Sequence, residues 1–317
     1  MTRTILGVDV SRDTLDAHVR PAGLCRRFDN TPTGIAELVA WAKSITPERI
    51  VFESTGPYQK AAVGALLAEG LPAVVVNARQ VRDFARGMGQ LAKTDAVDAA
   101  LIAHFGELVP TTVRPLEAQN LREFRDLYDR RGQLVRMLAA EKNHRHAALG
   151  SSPKVLRNID KVLRFLEGQI RDLETRMDTI IDASEAFRAQ NAILQSITGI
   201  GPHVSRTLLA YLPELGQRSR QSISALVGLA PFNDDSGQHI GQRHIRGGRS
   251  KVRLGLYQAA IAAIRHCPQM KAFYASLKDK GKASKVAIVA VARKILVLAN
   301  AMLRDGTRYK APANSVC

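Results

Sequence analysis

Short apolar runs and helical patterns alternate along the first hundred residues. Three apolar or β-rich runs predict strands, at Thr4–Val10, Arg49–Phe52 and Ala73–Val76. The partly alternating segment Leu15–Val19 predicts a fourth. Apolar residues three and four positions apart predict two helices between these strands, at Thr33–Ser44 and Gln59–Glu69. Glycine and proline stand at the breaks between the segments. Because strands that alternate with helices are typical of a layered α/β domain, we predict one at residues 1–107.

Residues 117–186 carry the pattern of a long helical hairpin. A strict heptad spacing joins seven apolar side chains, Ile159, Leu163, Leu166, Ile170, Leu173, Met177 and Ile180. Ser152 and Pro153 supply a helix N-cap followed by proline at the first helical position. The preceding stretch, Glu117–Leu149, is also helix-like, and a turn at Gly150 separates the two. The sequence therefore predicts two long antiparallel helices.

Two interpretations of this hairpin are open. The heptad seam is narrow and the remaining faces are highly charged, which favours a coiled-coil arm that joins two copies of the chain. In the alternative interpretation, the hairpin packs on its own domain and takes no part in self-association.

Residues 190–317 predict a mostly helical domain, whose last long helix is Lys285–Leu303. The segment Ile197–Pro202 is typical of a helix-hairpin-helix, because Gly199 and Gly201 let the backbone approach a phosphate closely. Contacts of this kind position a nucleic acid without reading its sequence. The alternative is a glycine-rich turn between two packed helices.

The charge distribution favours an anionic partner for this last domain. The chain carries 46 lysines and arginines against 29 acidic residues, a net charge of +17. Residues 1–110 hold 12 basic and 12 acidic side chains, whereas residues 191–317 hold 19 and 5. A domain with this excess attracts a polyanion, of which nucleic acid is the commonest. A basic surface kept for solubility is the alternative.

Composition makes several classes of protein unlikely. The apolar runs such as Leu71–Val76 and Val286–Ala292 are too short to cross a bilayer. Three widely spaced cysteines predict neither a disulfide framework nor a zinc knuckle. With aromatic residues at only 5%, single-strand binding by base stacking is also disfavoured. We therefore expect a cytoplasmic protein that binds no membrane.

Four carboxylates in the first domain form a candidate metal site. Asp9 lies within an otherwise apolar strand, Glu53 ends another strand, and Asp95 and Asp98 share one face of a predicted helix. Oxygen ligands suit Mg²⁺, and a pair of such ions can stabilise the attacking and leaving oxygens of phosphoryl transfer. Taken alone, each acid is a weak signal: a turn or cap role for Asp9, and a place in the first turn of a helix for Asp95, are equal alternatives.

A serine in the glycine-rich region between Gly228 and Gly248 is a candidate nucleophile. Ser236 is flanked by glycine, and five basic residues follow it, Arg243, Arg246, Arg249, Lys251 and Arg253. A serine attacks phosphate only when the phosphate charge is offset, which arginines can do through bidentate contacts. From spacing alone, however, a loop serine is more often a turn former.

Several short motifs make the chain similar to a known family. G-V-D-V-S, E-S-T-G and K-T-D-A-x-D in the first domain, then G-L-A-P, S-G and I-R-G-G in the last, resemble the DEDD insertion-sequence transposases. That family consists of bridge-RNA-guided recombinases with a RuvC-like domain and includes the Piv-type DNA invertases. The resemblance extends from Thr4 to about Arg308 in the expected order.

The resemblance implies a fold and a mechanism. It implies a ribonuclease-H-like fold for residues 1–107, Mg²⁺ ions on the four carboxylates, and a covalent phosphoserine at Ser236. It also implies a structured bridge RNA that pairs with donor and target duplexes, and a homodimer that assembles into a homotetramer. In that assembly the acidic site of one subunit works with the serine of another.

Three alternatives to an RNA-guided transposase are open at this point. One is a Piv-like invertase that has the same chemistry but a fixed chromosomal switch as its substrate. Another is a metal-dependent junction endonuclease that uses water and not Ser236. The last is a nucleic-acid-binding protein without enzymatic activity, whose acidic residues are structural.

Overall fold

The computed structural model contains two compact units, residues 1–117 and residues 118–317. It describes residues 3–54, 56–89, 95–111, 119–232, 235–236, 239–240 and 243–310. The side chains of residues 95–97, 235, 236, 239 and 240 lie outside the described part. Each unit is taken by itself below.

The N-terminal unit is a mixed α/β domain, as predicted. Its five strands are β1 (Ile5–Val10), β2 (Thr14–Arg20), β3 (Leu24–Asp29), β4 (Arg49–Glu53) and β5 (Ala73–Val76). They form one sheet in the order β3-β2-β1-β4-β5. The first three strands are antiparallel, and β4 and β5 run parallel to β1.

Helices cover both faces of this sheet, so its central strand is buried on both sides. The helices are α1 (Pro32–Ile45), α2 (Lys60–Ala68), α3 (Ala78–Gly87) and α4 (Asp95–Leu108). Leu6 and Val8 of β1 share a core with Leu38 of α1 and Leu66 of α2. The opposite face, which includes Ile5 and Val51, packs against α3 and α4. Burial on both faces explains why β1 is an almost continuous apolar run.

The structure adds two elements that the sequence pattern does not reveal. Strand β3 has the sequence LCRRFD, and of its side chains only Phe28 is buried. Because β3 lies at the edge of the sheet, its other positions face solvent and the apolar alternation is lost. Helix α3 has the sequence ARQVRDFARG, in which Val81 is the only fully buried position.

The C-terminal unit is helical and carries four two-residue strands. Its helices are α5 (Gln119–Ala147), α6 (Pro153–Ala183), α7 (Glu185–Gln195), α8 (Pro202–Tyr211), α9 (Arg220–Val227), α10 (Ser250–His266), α11 (Pro268–Asp279) and α12 (Ser284–Asp305). Its strands are β6 (Pro231–Phe232), β7 (Asp235–Ser236), β8 (His239–Ile240) and β9 (His244–Ile245). Proline at the start of α6, after Ser152, confirms the predicted helix start.

Helices α5 and α6 pack against each other along the heptad seam. Leu166 and Ile170 of α6 form a small core with Leu134 of α5. Ion pairs cross between the helices, with Arg131 Nε 2.6 Å from Glu174 and Arg145 Nε 2.6 Å from Asp160. These pairs set an antiparallel register, so the hairpin prediction is confirmed.

The same packing removes the basis on which self-association was predicted, the uncovered heptad seam. The seam was expected to favour contact with a second copy, but α5 of the same chain covers it. Farther along the hairpin, Phe124, Met177 and Ile181 join the main core of the C-terminal unit. The hairpin is therefore anchored in its own domain, and the seam gives no argument for a dimer.

Helix α12 is the apolar centre of the C-terminal unit. It is the one helix in the described residues that is long and apolar enough to cross a membrane by length and composition. Its buried residues, which include Val291, Ile295 and Ala299, belong to the main core with α10. This is the ordinary position of a core helix, and it accounts for the apolar composition.

Candidate active site and nucleic-acid interface

Asp9 and Glu53 lie at the carboxyl ends of neighbouring parallel strands. Val8 of β1 pairs with Phe52 of β4, so Asp9 and Glu53 follow at the next position of each strand. Both side chains are only partly buried. Side chains alternate along a strand, so these two point to the face that also carries Ile5 and Val51. Neighbouring strands lie about 4.8 Å apart, which makes the two carboxylates neighbours.

Helix α4 brings its first turn to the same end of the sheet. At Gly7 of β1, an added Cβ would lie 2.4 Å from both the Ala99 oxygen and the Ala103 nitrogen, so only glycine permits this approach. Toward the start of β1, a Cβ on Gly106 would contact Ile5 at 3.0 Å. The helix thus runs antiparallel to β1, and the turn that begins at Asp95 and includes Asp98 extends toward Asp9.

The carboxylate donors are of the type that suits a divalent metal. Among the side chains that the structure describes, no three acidic, histidine or cysteine groups come together closely enough to hold a metal ion. The Asp95 side chain lies outside that part, although its backbone starts α4. Oxygen donors are the ligand type that Mg²⁺ prefers, and the described backbone brings the ends of β1 and β4 and the first turn of α4 to the same end of the sheet.

Ser236 lies in a small β-hairpin. Strand β6 pairs with β9, and β7 pairs with β8, both antiparallel. Ser236 is the register partner of His239. The Ser236 side chain and residues 237–238 lie outside the described part of the chain. The sequence predicted a loop here, and the structure places the serine on an ordered two-stranded ladder.

The base of this hairpin is tightly closed against the end of α9. Gly228 ends α9 at φ +77°, and Gly248 has φ +68°. A Cβ on Gly248 would lie 2.3 Å from the Gly228 nitrogen, so a side chain cannot be accommodated. Arg253 Nη1 donates to the Val227 oxygen at 3.1 Å and to the Gly247 oxygen at 2.5 Å. These contacts join both ends of the hairpin to α10.

The predicted phosphate-binding arginines separate into two groups. Arg249 donates two hydrogen bonds of 2.6 Å to the Glu214 carboxylate and one of 2.7 Å to the backbone carbonyl oxygen of Tyr211. With Arg253 in the hairpin base, these two guanidiniums have partners within the protein, and their use as phosphate contacts stays a prediction. Arg243 and Arg246 are exposed, and Arg246 lies 5.6 Å from the Phe232 ring centre.

Lys251 belongs to a polar cluster between α5, α8 and α10. Its Nζ donates to Asp129 at 2.5 Å and to the Tyr211 hydroxyl at 2.8 Å, and that hydroxyl also donates to Asp129. Burial raises the pKa of Asp129, but the hydrogen bonds from Lys251 and Tyr211 outweigh it and lower the pKa overall. Burial raises the pKa of Tyr211, and the neighbouring Asp129 raises it further. The Lys251 ammonium is thus already balanced by a carboxylate, and its role as a phosphate contact stays a prediction.

The glycine-rich turn between α7 and α8 has one inward and one outward glycine. Gly199 has φ +100°, and a Cβ there would lie 2.4 Å from the Ala259 oxygen of α10. Packing against α10 therefore requires glycine at position 199, as expected for a glycine-rich turn between two packed helices. Gly201 is the N-cap of α8, and a Cβ on it would meet nothing within 4 Å. Of the two predicted positions, Gly201 is the exposed one, and a phosphate contact there stays a prediction.

Two family models match the chain. A model of IS110-type DEDD transposases matches residues 6–152, and a model described as "Transposase IS116/IS110/IS902 family" matches residues 191–275. The first span includes the four carboxylates, and the second includes the Ser236 hairpin.

The chain belongs to the IS110/IS116/IS902 transposase family. The transposase is 24% identical to the pilin gene-inverting protein of Moraxella lacunata, over 98% of both chains. It is 25% identical to the protein of the same name from Moraxella bovis, also over 98% of both. An uncharacterized 42 kDa protein of insertion element IS900 from Mycobacterium paratuberculosis is 26% identical, over 77% of this chain and 62% of that one. The transposase is therefore a DNA recombinase, with DNA as its substrate.

Replacing Arg249 in the transposase is expected to reduce stability more than DNA binding. The Arg249 and Glu214 side chains are 24% and 18% exposed, so Arg249→Ala leaves a poorly hydrated carboxylate. We expect a loss of about 2–3 kcal/mol in the free energy of unfolding, measured by urea denaturation. Arg243→Ala, at an exposed position of the same segment, should change stability by less than about 0.5 kcal/mol and should weaken DNA binding. Unchanged stability and weakened DNA binding in Arg249→Ala would instead place Arg249 in the DNA interface.

Proposed function

We propose that the transposase cleaves and exchanges the DNA strands of an insertion sequence through a covalent phosphoserine at Ser236. The observation that carries this proposal is the common position of Asp9, Glu53 and the first turn of α4 on one face of the sheet. The strand order of the N-terminal unit also supports the ribonuclease-H-like fold that the sequence motifs imply. In such a domain, a carboxylate cluster at the strand ends serves phosphoryl transfer.

The four carboxylates are the proposed ligands of Mg²⁺. Asp9, Glu53, Asp95 and Asp98 would hold two ions, which stabilise charge on the attacking and leaving oxygens of phosphoryl transfer. Asp9 and Glu53 sit on rigid strand ends, which limits their movement and maintains their spacing. Glycine at position 7 keeps α4 close enough for its acidic turn to reach the same edge.

Ser236 is the proposed nucleophile. Its Oγ bonds to the scissile phosphorus, and the bond from phosphorus to one deoxyribose oxygen breaks. The deoxyribose hydroxyl released from the other duplex then attacks the phosphoserine, and the bond from phosphorus to the serine oxygen breaks, which joins the exchanged strands and restores the serine. Arg243 and Arg246 are exposed close to Ser236 in the chain and offset the charge of the phosphate. The closed hairpin base gives the serine a stable attachment to α10.

A guide RNA and a multisubunit assembly complete the proposal. On the family resemblance, a structured bridge RNA pairs with donor and target DNA, so that sequence choice belongs to base pairing. The excess of basic over acidic residues in residues 191–317 supports a large nucleic-acid interface. A homodimer that assembles into a homotetramer, acting in the cytoplasm on chromosomal DNA, would bring two duplexes together.

An invertase is the second candidate function. Both Moraxella relatives are named for inverting a pilin gene, and each aligns with this chain over 98% of its length. An invertase would use the same carboxylates and serine, with a chromosomal switch as substrate and no guide RNA.

A covalent-trapping experiment tests the proposal and separates the candidates. The purified protein is incubated with Mg²⁺, labelled donor and target duplexes, and RNA transcribed from the non-coding DNA beside its gene, then run on a denaturing gel. A labelled protein–DNA adduct that depends on the RNA is the expected result. An adduct that forms without RNA would favour the invertase, and cleavage without any adduct would contradict the serine mechanism.

A further inference from the structure

Helix α3 carries a stripe of three arginines on its outer surface. Arg79, Arg82 and Arg86 stand at positions i, i+3 and i+7, so they share one face of the helix. All three are exposed, and the side chains of Arg79 and Arg86 keep 87% and 73% of their accessible surface. At a rise of about 1.5 Å per residue, the stripe is about 10 Å long.

The orientation of α3 is set by its apolar side. Val81 is buried, and Phe84 packs edge-on against His104 and Phe105 of α4, with ring centres 5.4 and 5.6 Å apart. Because this side is anchored to α4, the arginines point away from the core. The packing of α3 therefore fixes the side of the helix on which this stripe, defined by Arg79, Arg82 and Arg86, lies.

The stripe begins at the edge of the sheet that holds the carboxylates. Val76 of β5 is the register partner of Glu53, and the Ser54 backbone N–H donates to the Val76 oxygen at 3.0 Å. Asn77, the N-cap of α3, comes directly after Val76. The first arginine is thus only three residues beyond a position paired with Glu53.

The arginines outnumber the acid beside them. Asp83 lies between two of them, 3.6 Å from Arg79 and 3.7 Å from Arg86. Pairs this exposed and this long contribute little and exchange readily with other anions. The stripe with Asp83 keeps a local charge of +2 in a unit with equal numbers of basic and acidic residues.

We propose that the α3 stripe binds the phosphodiester backbone of the DNA substrate and leads it to the carboxylates at the strand ends. Guanidinium groups form bidentate bonds with phosphate, and a row of them follows successive phosphates along a strand. This inference rests on the proposed function, because it names a surface that delivers substrate to the same carboxylates. Both DNA and RNA have this backbone, so the test examines each.

The test measures how binding to each nucleic acid depends on salt. Filter binding with a labelled DNA duplex and with a structured RNA gives the slope of log K against log salt concentration. For Arg79→Gln/Arg82→Gln/Arg86→Gln, we expect the DNA slope to fall by about 2–3, with at least about a tenfold loss of affinity. A loss for DNA, with or without a loss for RNA, supports the inference. A loss for RNA alone would overturn it, because the RNA is not the strand that is cut.

Three single variants separate the effect of the stripe from a general loss of charge or a folding defect. Lys43→Gln removes one positive charge from α1 on the opposite face of the same unit and should leave the slope unchanged, whereas Arg82→Gln should reduce it by about 1. Asp83→Asn removes the competing acid and should strengthen binding, an effect that misfolding cannot produce. Equal slopes for the wild type and the triple variant would overturn the inference and leave the proposed function intact. A wild type that binds neither nucleic acid would overturn both.

Discussion

Ser236→Ala is expected to abolish the covalent protein–DNA adduct and to reduce strand exchange by at least about a thousandfold. Removal of a nucleophile eliminates the covalent route, and enzymes that lose one retain only the contributions of binding and charge stabilisation. The hairpin should persist, because the pairing of Ser236 with His239 is a backbone ladder that alanine also forms. Adduct formation on a denaturing gel and recombination of a reporter plasmid measure the two effects.

A second serine provides a matched control for this prediction. Ser222 is exposed on α9 of the same unit, so Ser222→Ala changes the same atoms away from the hairpin. We expect normal adduct formation from Ser222→Ala and normal DNA binding from both variants. Strand cleavage that survives Ser236→Ala at its full rate would identify water as the nucleophile, and the protein would then act as a metal-dependent nuclease.

Asp9→Asn is expected to abolish cleavage while DNA binding stays unchanged. The substitution keeps the shape of the side chain but removes the negative charge that a divalent ion requires from its ligand. Asp9 lies in the centre of the sheet, next to Glu53 and facing α4, so its loss affects every proposed contact in the site. Cleavage assays across a range of Mg²⁺ concentrations, together with filter binding, measure both properties.

Asp16 offers a control in the register position opposite Asp9. It lies on the neighbouring strand β2 and on the same face, but Arg27 holds its carboxylate with hydrogen bonds of 2.7 and 3.1 Å. Since Arg27 is itself largely exposed, Asp16→Asn should cost no more than about 1 kcal/mol in stability and should retain cleavage. If Asp16→Asn were as inactive as Asp9→Asn, the metal site would have to include Asp16 and the proposed set of four ligands would be wrong.

Periodicity predicted the elements that bury apolar residues. Strands β1, β4 and β5 and helices α1, α2 and α12 all lie within a few residues of their predicted positions. Each buries a wide apolar face, which leaves a clear trace in the sequence. Strand β3 buries only Phe28, and α3 has only a narrow apolar side, so neither has the apolar periodicity from which it could be predicted.

The functions of the basic residues could not be predicted from their order in the chain. Arg243, Arg246, Arg249 and Arg253 look alike in sequence, but Arg249 pairs with Glu214, 35 positions away, and Arg253 closes the hairpin base. The α3 stripe was hidden for a related reason. Equal numbers of basic and acidic residues in the N-terminal domain suggested no charged surface, because a count carries no information on which residues share a face.

The sequence by itself determined the α/β and helical classes, the hairpin and the family, because these depend on local periodicity and short motifs. The tertiary structure alone decided which residues meet. It covered the heptad seam with α5, turned Gly199 toward α10, and placed Asp9 beside Glu53 at the carboxyl ends of two neighbouring strands. Long-range packing makes these choices, since residues far apart in the chain compete for the same partners and only the folded chain shows which contact prevails.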